Sequence, residues 1–382
     1  MKLAIVADVH FRGKDIKDKF AAWNAAVDRM IADKVKVLFL GGDTWDTRNI
    51  GGREASMGTV FRAFMDPLKR LLDAGIEVYA ILGNHELATG AQMSALEPLK
   101  DTGVHVIDEM GGNYSGEGFQ VRMIPWIPDK EGTRAQALKS CLKQIKKEFK
   151  DKKTFNILIG HLTVKGAAMN SGICLAGSEF EVSSEELEET GADRIFLGHI
   201  HKMQLIGKKV QYVGALCQNN FGEAGNPTGF MMIDTDKRTS TCIAIDSAKY
   251  HTIDIGKPNK AEGQSTGSGA GGEKADFSAL DFPRMELVFK DLDRPEIMEK
   301  DYIRVRFLRK PTPEELQFVA ERPNLSIEIV PERTTRARDA GGIEAGMSES
   351  DMLSKYLALK KCDEESMKRI SATAEKLMEA TI

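Results

Sequence analysis

Apolar residues recur along the chain in two periods. Short, nearly continuous runs occur at 2–7, 35–40, 77–82, 155–159 and 195–197. Such runs read as strands buried on both faces. Spacings of three and four predict helices. Ile16, Phe20, Trp23, Val27, Met30 and Ile31 mark one over 16–31, a second covers 54–74, and Leu138, Leu142, Ile145 and Phe149 mark a third within 138–153. Strand and helix in alternation predict an α/β sheet. Residues 226–256 read as further strands that close a first domain of residues 1–256.

The pattern changes after that point. Residues 262–272 are Glu-Gly-Gln-Ser-Thr-Gly-Ser-Gly-Ala-Gly-Gly, a flexible linker within 257–281. Strands follow at 285–289, 302–308 and 325–330, with a helix at 313–321. That helix carries Thr312 as N-cap, Pro313 at its first position and Glu315 to complete a capping box. Residues 282–331 therefore predict a small α+β domain without a metal-ligand cluster. After a polar stretch at 331–347, residues 348–382 predict amphipathic helices. Met352, Leu353, Tyr356 and Leu357 form one apolar face, and Met367, Ile370, Ala374, Leu377 and Met378 the next. There is no internal repeat.

Composition narrows the class. The chain has 382 residues, 42% apolar and 29% charged, which suits a soluble protein of two or three domains. No run approaches the length of a membrane span. The opening Met-Lys-Leu-Ala-Ile-Val meets Asp8 too soon for a secretory leader. Five scattered cysteines without a Cys-x-x-Cys pair predict reduced thiols and a cytoplasmic setting. A net charge of −4 carries no global basic signature, so any nucleic-acid contact must be local. The seven lysines of 138–153 are a solvated face or a phosphate-contacting one.

The chemistry lies just beyond the strands. The first run ends in Asp8-Val9-His10 and the second in Gly41-Gly42-Asp43-Thr44-Trp45-Asp46. The third ends in Gly83-Asn84-His85-Glu86, the fourth in Gly160-His161 and the fifth in Gly198-His199-Ile200-His201. In extended chain, residues i and i+2 share a face, so Asp8 and His10, like His199 and His201, point together. Each cluster alone could be a turn or a helix cap. Five of the seven histidines, however, follow predicted strands directly, and ligands of open α/β sheets gather at those ends. Asp8, His10, Asp43, Asn84, His161, His199 and His201 exceed the needs of one ion and fit two ions that share a carboxylate. Oxygen and imidazole donors without thiolate point to manganese, iron or zinc. His85 adjoins a ligand but is aimed differently, which makes it the candidate for stabilising or protonating a leaving oxygen.

As an ordered set, these five motifs resemble those of the calcineurin-like metallophosphoesterases. The finer pattern is similar to the nuclease subunit of the SbcCD type, which processes DNA double-strand breaks. Gly42-Asp43-Thr44-Trp45-Asp46, the Leu-Thr-Val-Lys-Gly after His161, Tyr212-Val213-Gly214 and Phe221-Gly222-Glu223 carry that likeness. The resemblance implies a four-layer β-sandwich flanked by helices. It also implies two divalent ions, manganese when active. Asp8, His10 and His201 would hold one, Asn84, His161 and His199 the other, with Asp43 bridging and His85 catalytic. It implies a DNA-facing capping domain and C-terminal helices that grip the coiled-coil root of an SMC-like ATPase. A homodimer within a heterotetramer, acting on DNA ends in recombination and repair, would follow. The setting would be the cytoplasm, including the nucleoid or a phage-infected cell. Gly214-Ala215 and Cys217-Gln218-Asn219-Asn220 depart from the family pattern, which bears on DNA contact near 212–223 and on no metal ligand. Two other readings stay open. One is a phosphoesterase for phosphoproteins or cyclic nucleotides, although Thr44-Trp45-Asp46-Thr47-Arg48 lacks the phosphatase valine-aspartate-arginine-glycine run. The other is a non-catalytic scaffold for DNA and ATPase.

Overall fold

The computed structural model describes residues 1–47, 55–87, 94–126, 128, 133–168, 181–255, 300–308, 310–321 and 325–330. The chain divides into two compact units. One comprises Met1–Asp254, Ala279–Arg306 and Pro313–Glu328, the other Ile255–Ser278, Phe307–Thr312 and Ile329–Ile382. The expected linker at 257–281, the strand at 285–289 and the helices of 348–382 lie outside the described residues.

In chain order the first unit begins with β1 (Lys2–Val6), α1 (Ile16–Ala32), β2 (Val37–Leu40), α2 (Met57–Asp73) and β3 (Glu77–Ile81). It continues with β4 (His105–Ile107), β5 (Gly112–Gly116), β6 (Phe119–Ile124), α3 (Arg134–Glu148) and β7 (Phe155–His161). Next come β8 (Thr163–Val164), β9 (Glu181–Val182), α4 (Ser184–Glu188), β10 (Arg194–Gly198), β11 (Gln204–Ile206) and β12 (Val210–Tyr212). Then follow β13 (Gly229–Asp234), β14 (Thr239–Ala244), β15 (Tyr250–Ile255), β16 (Tyr302–Phe307), α5 (Pro313–Ala320) and β17 (Leu325–Ile329).

Two six-stranded sheets run in the orders β14-β13-β1-β2-β3-β4 and β11-β12-β10-β7-β6-β5. β1 to β4 are parallel neighbours, and so are β6, β7, β10 and β12, while β13 and β14, β5 and β11 join by antiparallel pairing. Alternation along each strand produces the layers. Leu3 and Ile5 pack with Ile157, Ile159 and Phe196 between the sheets, whereas Ala4 and Val6 face Trp23, Val27 and Phe64 of α1 and α2. On the other side, Leu158, Ile195 and Leu197 meet Leu138, Leu142 and Ile145 of α3. The result is helix, sheet, sheet, helix, and the expected fold class is the observed one. Both faces of the central strands are covered, which is why they read as continuous apolar runs.

Two details differ from the expectation. α2 begins at Met57 instead of residue 54, where the Ser56 hydroxyl accepts the Thr59 amide at 3.2 Å and caps the first turn. On α1 the buried line is Lys19, Ala22, Trp23, Ala26, Val27 and Met30, and Phe20 is 40% exposed. Trp23 sets this rotation by stacking on Phe64 with its indole N–H on the Phe64 carbonyl, which turns Lys19 inward in place of Phe20. β15 does not extend either large sheet. It joins a three-stranded sheet, β15-β16-β17. Cys141, Cys217 and Cys242 are free thiols, while Cys174 and Cys362 lie outside the described residues. Among the described residues no helix is long and apolar enough to cross a membrane.

Candidate metal centre

The parallel strands of both sheets end on one edge, and each end delivers part of one cluster. β1 leads to Asp8 and His10, β2 to Asp43, β3 to Asn84 and His85, β7 to His161 and β10 to His199 and His201. The first two segments stay paired beyond their strands: Asp8, His10 and Phe11 donate backbone N–H bonds to the carbonyls of Gly42, Asp43 and Thr44. Asp8, His10, Asp43 and His199 have positive φ of 52°, 54°, 51° and 94°. For non-glycine residues that conformation costs about 1–3 kcal/mol each and persists only where the surroundings over-determine it. Glycine supplies the close approaches. A Cβ on Gly42 would overlap the His161 imidazole, and one on Gly83 would collide with Asp43 Oδ1.

Two ligand groups result. In the first, donor atoms of Asp8, His10 and His201 lie within 4.8 Å of one another. His10 Nε2 and His201 Nε2 are 2.9 Å apart, and the His201 Nδ1–H donates to Glu223 Oε1 at 2.8 Å. Both Asp8 oxygens accept the His199 amide, at 2.9 and 3.1 Å. In the second group, donor atoms of Asp43, His161 and His199 lie within 4.8 Å of one another. Asn84 Oδ1 sits 3.0 Å from His161 Nε2 and 2.9 Å from His199 Nδ1, and His161 Nδ1–H donates to the Gly41 carbonyl at 2.8 Å. Asp43 Oδ2 faces both groups, 3.4 Å from His161 Nε2 and 3.7 Å from His10 Nε2. All seven sequence-predicted ligand residues thus converge.

The donor set fits a pair of divalent cations. Two imidazole nitrogens in near contact, that of His10 buried, with oxygen donors around them and no thiolate, are what a first-row transition metal takes. His10 Nδ1 is buried without a hydrogen-bond partner among the described residues, and Asp46 Oδ1 lies 3.6 Å from it. His85 stands beside these groups in a different setting. Its Nδ1 is bonded to the Asp46 carbonyl, its Nε2 is 3.9 Å from Asp43 Oδ2, and its side chain is 38% exposed. A substrate can reach it. His10, Asp46 and His85 also bring donor atoms within 4.8 Å, so the expected catalytic histidine borders the ligand field.

Burial raises the Asp8 carboxyl, against the pull of His201 and His161. Burial, then His201, holds His10 well below its ordinary value, in the neutral form that binds metals. Burial opposes the charge on Asp43, yet His161, His10 and His85 hold it well below the usual carboxylate range. His161 is pushed up to about 9: burial works against its charge and the Asp43 carboxylate outweighs it. His201 is raised despite burial, chiefly by its bond to Glu223.

Sequence reasoning assigned no role to four supporting residues. Glu86 is wholly buried and accepts the amides of Gly83, Asp43 and Trp45 at 2.7, 3.1 and 3.1 Å, tying the β2 and β3 ends together. Burial, then Asp43, pushes its carboxyl up to about 8, while the Trp45 and Gly83 amides pull the other way. Its place right after His85 was the available signal. Glu223 orients His201 across 22 positions of sequence, and Trp126 stacks on His199 with centroids 4.9 Å apart. The Arg134 guanidinium lies 3.8 Å from the Trp126 ring. Spacing carries no sign of these three contacts.

Solved structures with some likeness include a dimetal phosphatase from Danio rerio, 12% identical with a TM-score of 0.42 over 61% of this chain and 91% of that one. The phosphopantetheinyl hydrolase PptH of Mycobacterium tuberculosis is 11% identical, with a TM-score of 0.32 over 56% and 89%. The nuclease MPE of Pseudomonas putida is 20% identical, with a TM-score of 0.21 over 43% and 64%. The calcineurin-like phosphoesterase family model matches residues 1–203, more than half of the chain and every strand-end cluster from Asp8 to His201. By that match the chain belongs to the calcineurin-like phosphoesterase family, which implies a metal-dependent hydrolase of phosphoesters.

Proposed function

We propose that the chain is a two-metal DNA phosphodiesterase that processes DNA ends together with an SMC-like ATPase. The observation that carries the reading is the convergence of two ligand groups on Asp43, with His85 exposed at their border. Asp8, His10 and His201 would hold one divalent ion and Asn84, His161 and His199 the other, with Asp43 available to both; manganese is the ion we expect. Bound there, the pair supplies a nucleophilic water at neutral pH and charge stabilisation on phosphoryl oxygens. His85 presents Nε2 to the leaving oxygen as the proton donor, and the Asp46 carbonyl keeps the ring in that orientation. Glu223 holds the His201 ring so that Nε2 faces His10.

Support for DNA as the substrate comes from the residues beyond the ligands: Thr44-Trp45-Asp46, Leu162-Thr163-Val164-Lys165 and Phe221-Gly222-Glu223 continue the family motifs in the manner of its DNA-end nucleases. A local basic surface exists as well. Lys139, Lys143, Lys146 and Lys147 of α3 are all exposed, and helix geometry places them within an arc of about 100° along about 12 Å. A surface depression of about 440 Å³ lined by Ala135, Gln136, Lys139, Ser140 and Lys143 adjoins that arc. Residues 282–331 would then face DNA, and the apolar stripes of 348–382 would dock the ATPase in a heterotetramer built on a homodimer of this chain.

The deciding experiment gives the manganese-loaded chain linear DNA, hairpin DNA, a phosphopeptide and a cyclic nucleotide, with and without the ATPase. We expect cleavage of DNA, stimulated by ATP only when the ATPase is present and only while residues after Met347 are intact. Hydrolysis confined to the phosphopeptide or cyclic nucleotide would replace DNA as the substrate and leave the phosphoesterase chemistry standing.

A further inference from the structure

Lys19 occupies the buried line of α1 with 1% of its surface exposed. A buried ammonium must be compensated by hydrogen bonds, and an apolar side chain of the same length would fill the space without that demand. Beside the buried Cys217 thiol, its two oxygen acceptors among the described residues are the Val9 carbonyl, at 2.7 Å, and Asn219 Oδ1. Neither is a carboxylate.

The positions of those acceptors matter. Val9 lies between Asp8 and His10, whose φ values are both positive, 52° and 54°. The amine therefore holds the one carbonyl that lies between two ligand residues in a conformation L side chains rarely adopt. The second acceptor leads to the other side of the same ligand group. The Asn219 backbone N–H donates to Glu223 Oε2 at 2.8 Å, and Glu223 Oε1 takes the His201 Nδ1–H at 2.8 Å. Arg12, itself bonded to both oxygens of Asp15, donates to the Asn219 carbonyl and closes the ring of contacts. One ammonium thus ties together the two segments, almost 200 positions apart in sequence, that bring His10 Nε2 and His201 Nε2 to 2.9 Å. The neighbouring group has separate supports: the Gly41 carbonyl on His161 and the Trp126 ring on His199.

We infer that Lys19 is a positioning residue for the Asp8/His10/His201 ligand group alone, acting through Val9 on one segment and through Asn219 and Glu223 on the other. In its metal readout the inference rests on the two-ion reading proposed above.

The test uses full-length Lys19→Met, close to lysine in length but without the amine, and Asn219→Ala, which removes one arm of the contact. Manganese titrations followed by calorimetry and electron paramagnetic resonance resolve the two sites. In Lys19→Met one site should weaken roughly ten- to hundredfold while the other keeps its wild-type affinity. Asn219→Ala should weaken the same site by less. Crystal structures of the metal-free variants should show the His10–His201 approach opened beyond 2.9 Å, and φ of Asp8 and His10 relaxed in Lys19→Met. Wild-type affinity at both sites with only a lowered melting temperature would make Lys19 a stabiliser of the fold and overturn the inference; equal weakening of both sites would do the same. If Lys19→Met does not fold, Asn219→Ala decides by the same criteria. If the wild-type chain binds fewer than two ions, the two-ion reading fails, and the metal-free geometry of His10 and His201 in the variants still decides the role of Lys19.

Discussion

The two ligand groups meet at Asp43, yet different forces hold their imidazoles in place. On the Asp8/His10/His201 side the supports are ionic: Glu223 on His201, Lys19 on the Val9 carbonyl, and Arg12 with Asp15 behind them. On the His161/His199 side they are the Gly41 carbonyl and the face of Trp126, with Arg134 stacked on that ring. Ionic supports bury charge and hold position only while every partner keeps its protonation state. A backbone carbonyl and an aromatic face keep theirs at any pH, so on that side it is the shared Asp43–His161 pair that answers to pH. Similar donors can therefore sit side by side in one site while responding to different perturbations.

Four experiments test that contrast. The largest effect should come from Asp43→Ala, which removes the group common to both sides. Both ions should be lost, and with them several kcal/mol of transition-state stabilisation per ion, roughly a 10⁴-fold or greater fall in turnover. Metal analysis that still finds one tightly held ion in this variant would show that Asp43 is not shared. His85→Asn should disturb neither side: both ions stay, and turnover falls ~10²–10⁴-fold. Near wild-type turnover in this variant would remove His85 from the chemistry.

A pH series on the metal-free chain sharpens the comparison next. His161 has its value raised from 6.5 to about 9 by Asp43, so the folded state binds the proton more tightly than the unfolded one. The stability from this pair is complete below 6.5 and is lost as pH rises through about 9; the shift corresponds to a loss on the order of 3 kcal/mol. Denaturant melts across that window should show the decline in wild type and a shallower one in His161→Asn. Parallel declines would mean that another group carries the dependence.

The finest test separates the supports. Glu223→Gln should weaken only the site that contains His201, and Trp126→Ala only the one that contains His199, each by roughly 10–100-fold in metal affinity. Calorimetric titrations in which either variant affects both sites equally would show that the two sides share one framework.

How much of this could be read beforehand depended on the range of the interaction. The buried strands showed as apolar runs because both of their faces are covered, and the ligand residues showed because each directly follows its strand. β5 was not legible: Gly-Asn-Tyr-Ser-Gly has no apolar period, and it is a strand because β6 offers it a free edge in register. On α1 the periodicity favoured Phe20 for burial, since an apolar ring is the cheaper residue to desolvate. The stacking of Trp23 on Phe64 set the helix rotation instead and carried Lys19 inside.

By itself, then, the sequence determined which residue types would stand at the strand ends and that those strands would lie in a covered α/β sheet. Both follow from local periodicity and from the chemistry of carboxylate and imidazole. The partner of each ligand atom was decided only by tertiary structure. His10 and His201 are 191 positions apart, and His161 meets the Gly41 carbonyl across 120. Those meetings depend on the register of parallel strands in two sheets and on the packing between them. No spacing within one segment encodes a contact made by closing the fold.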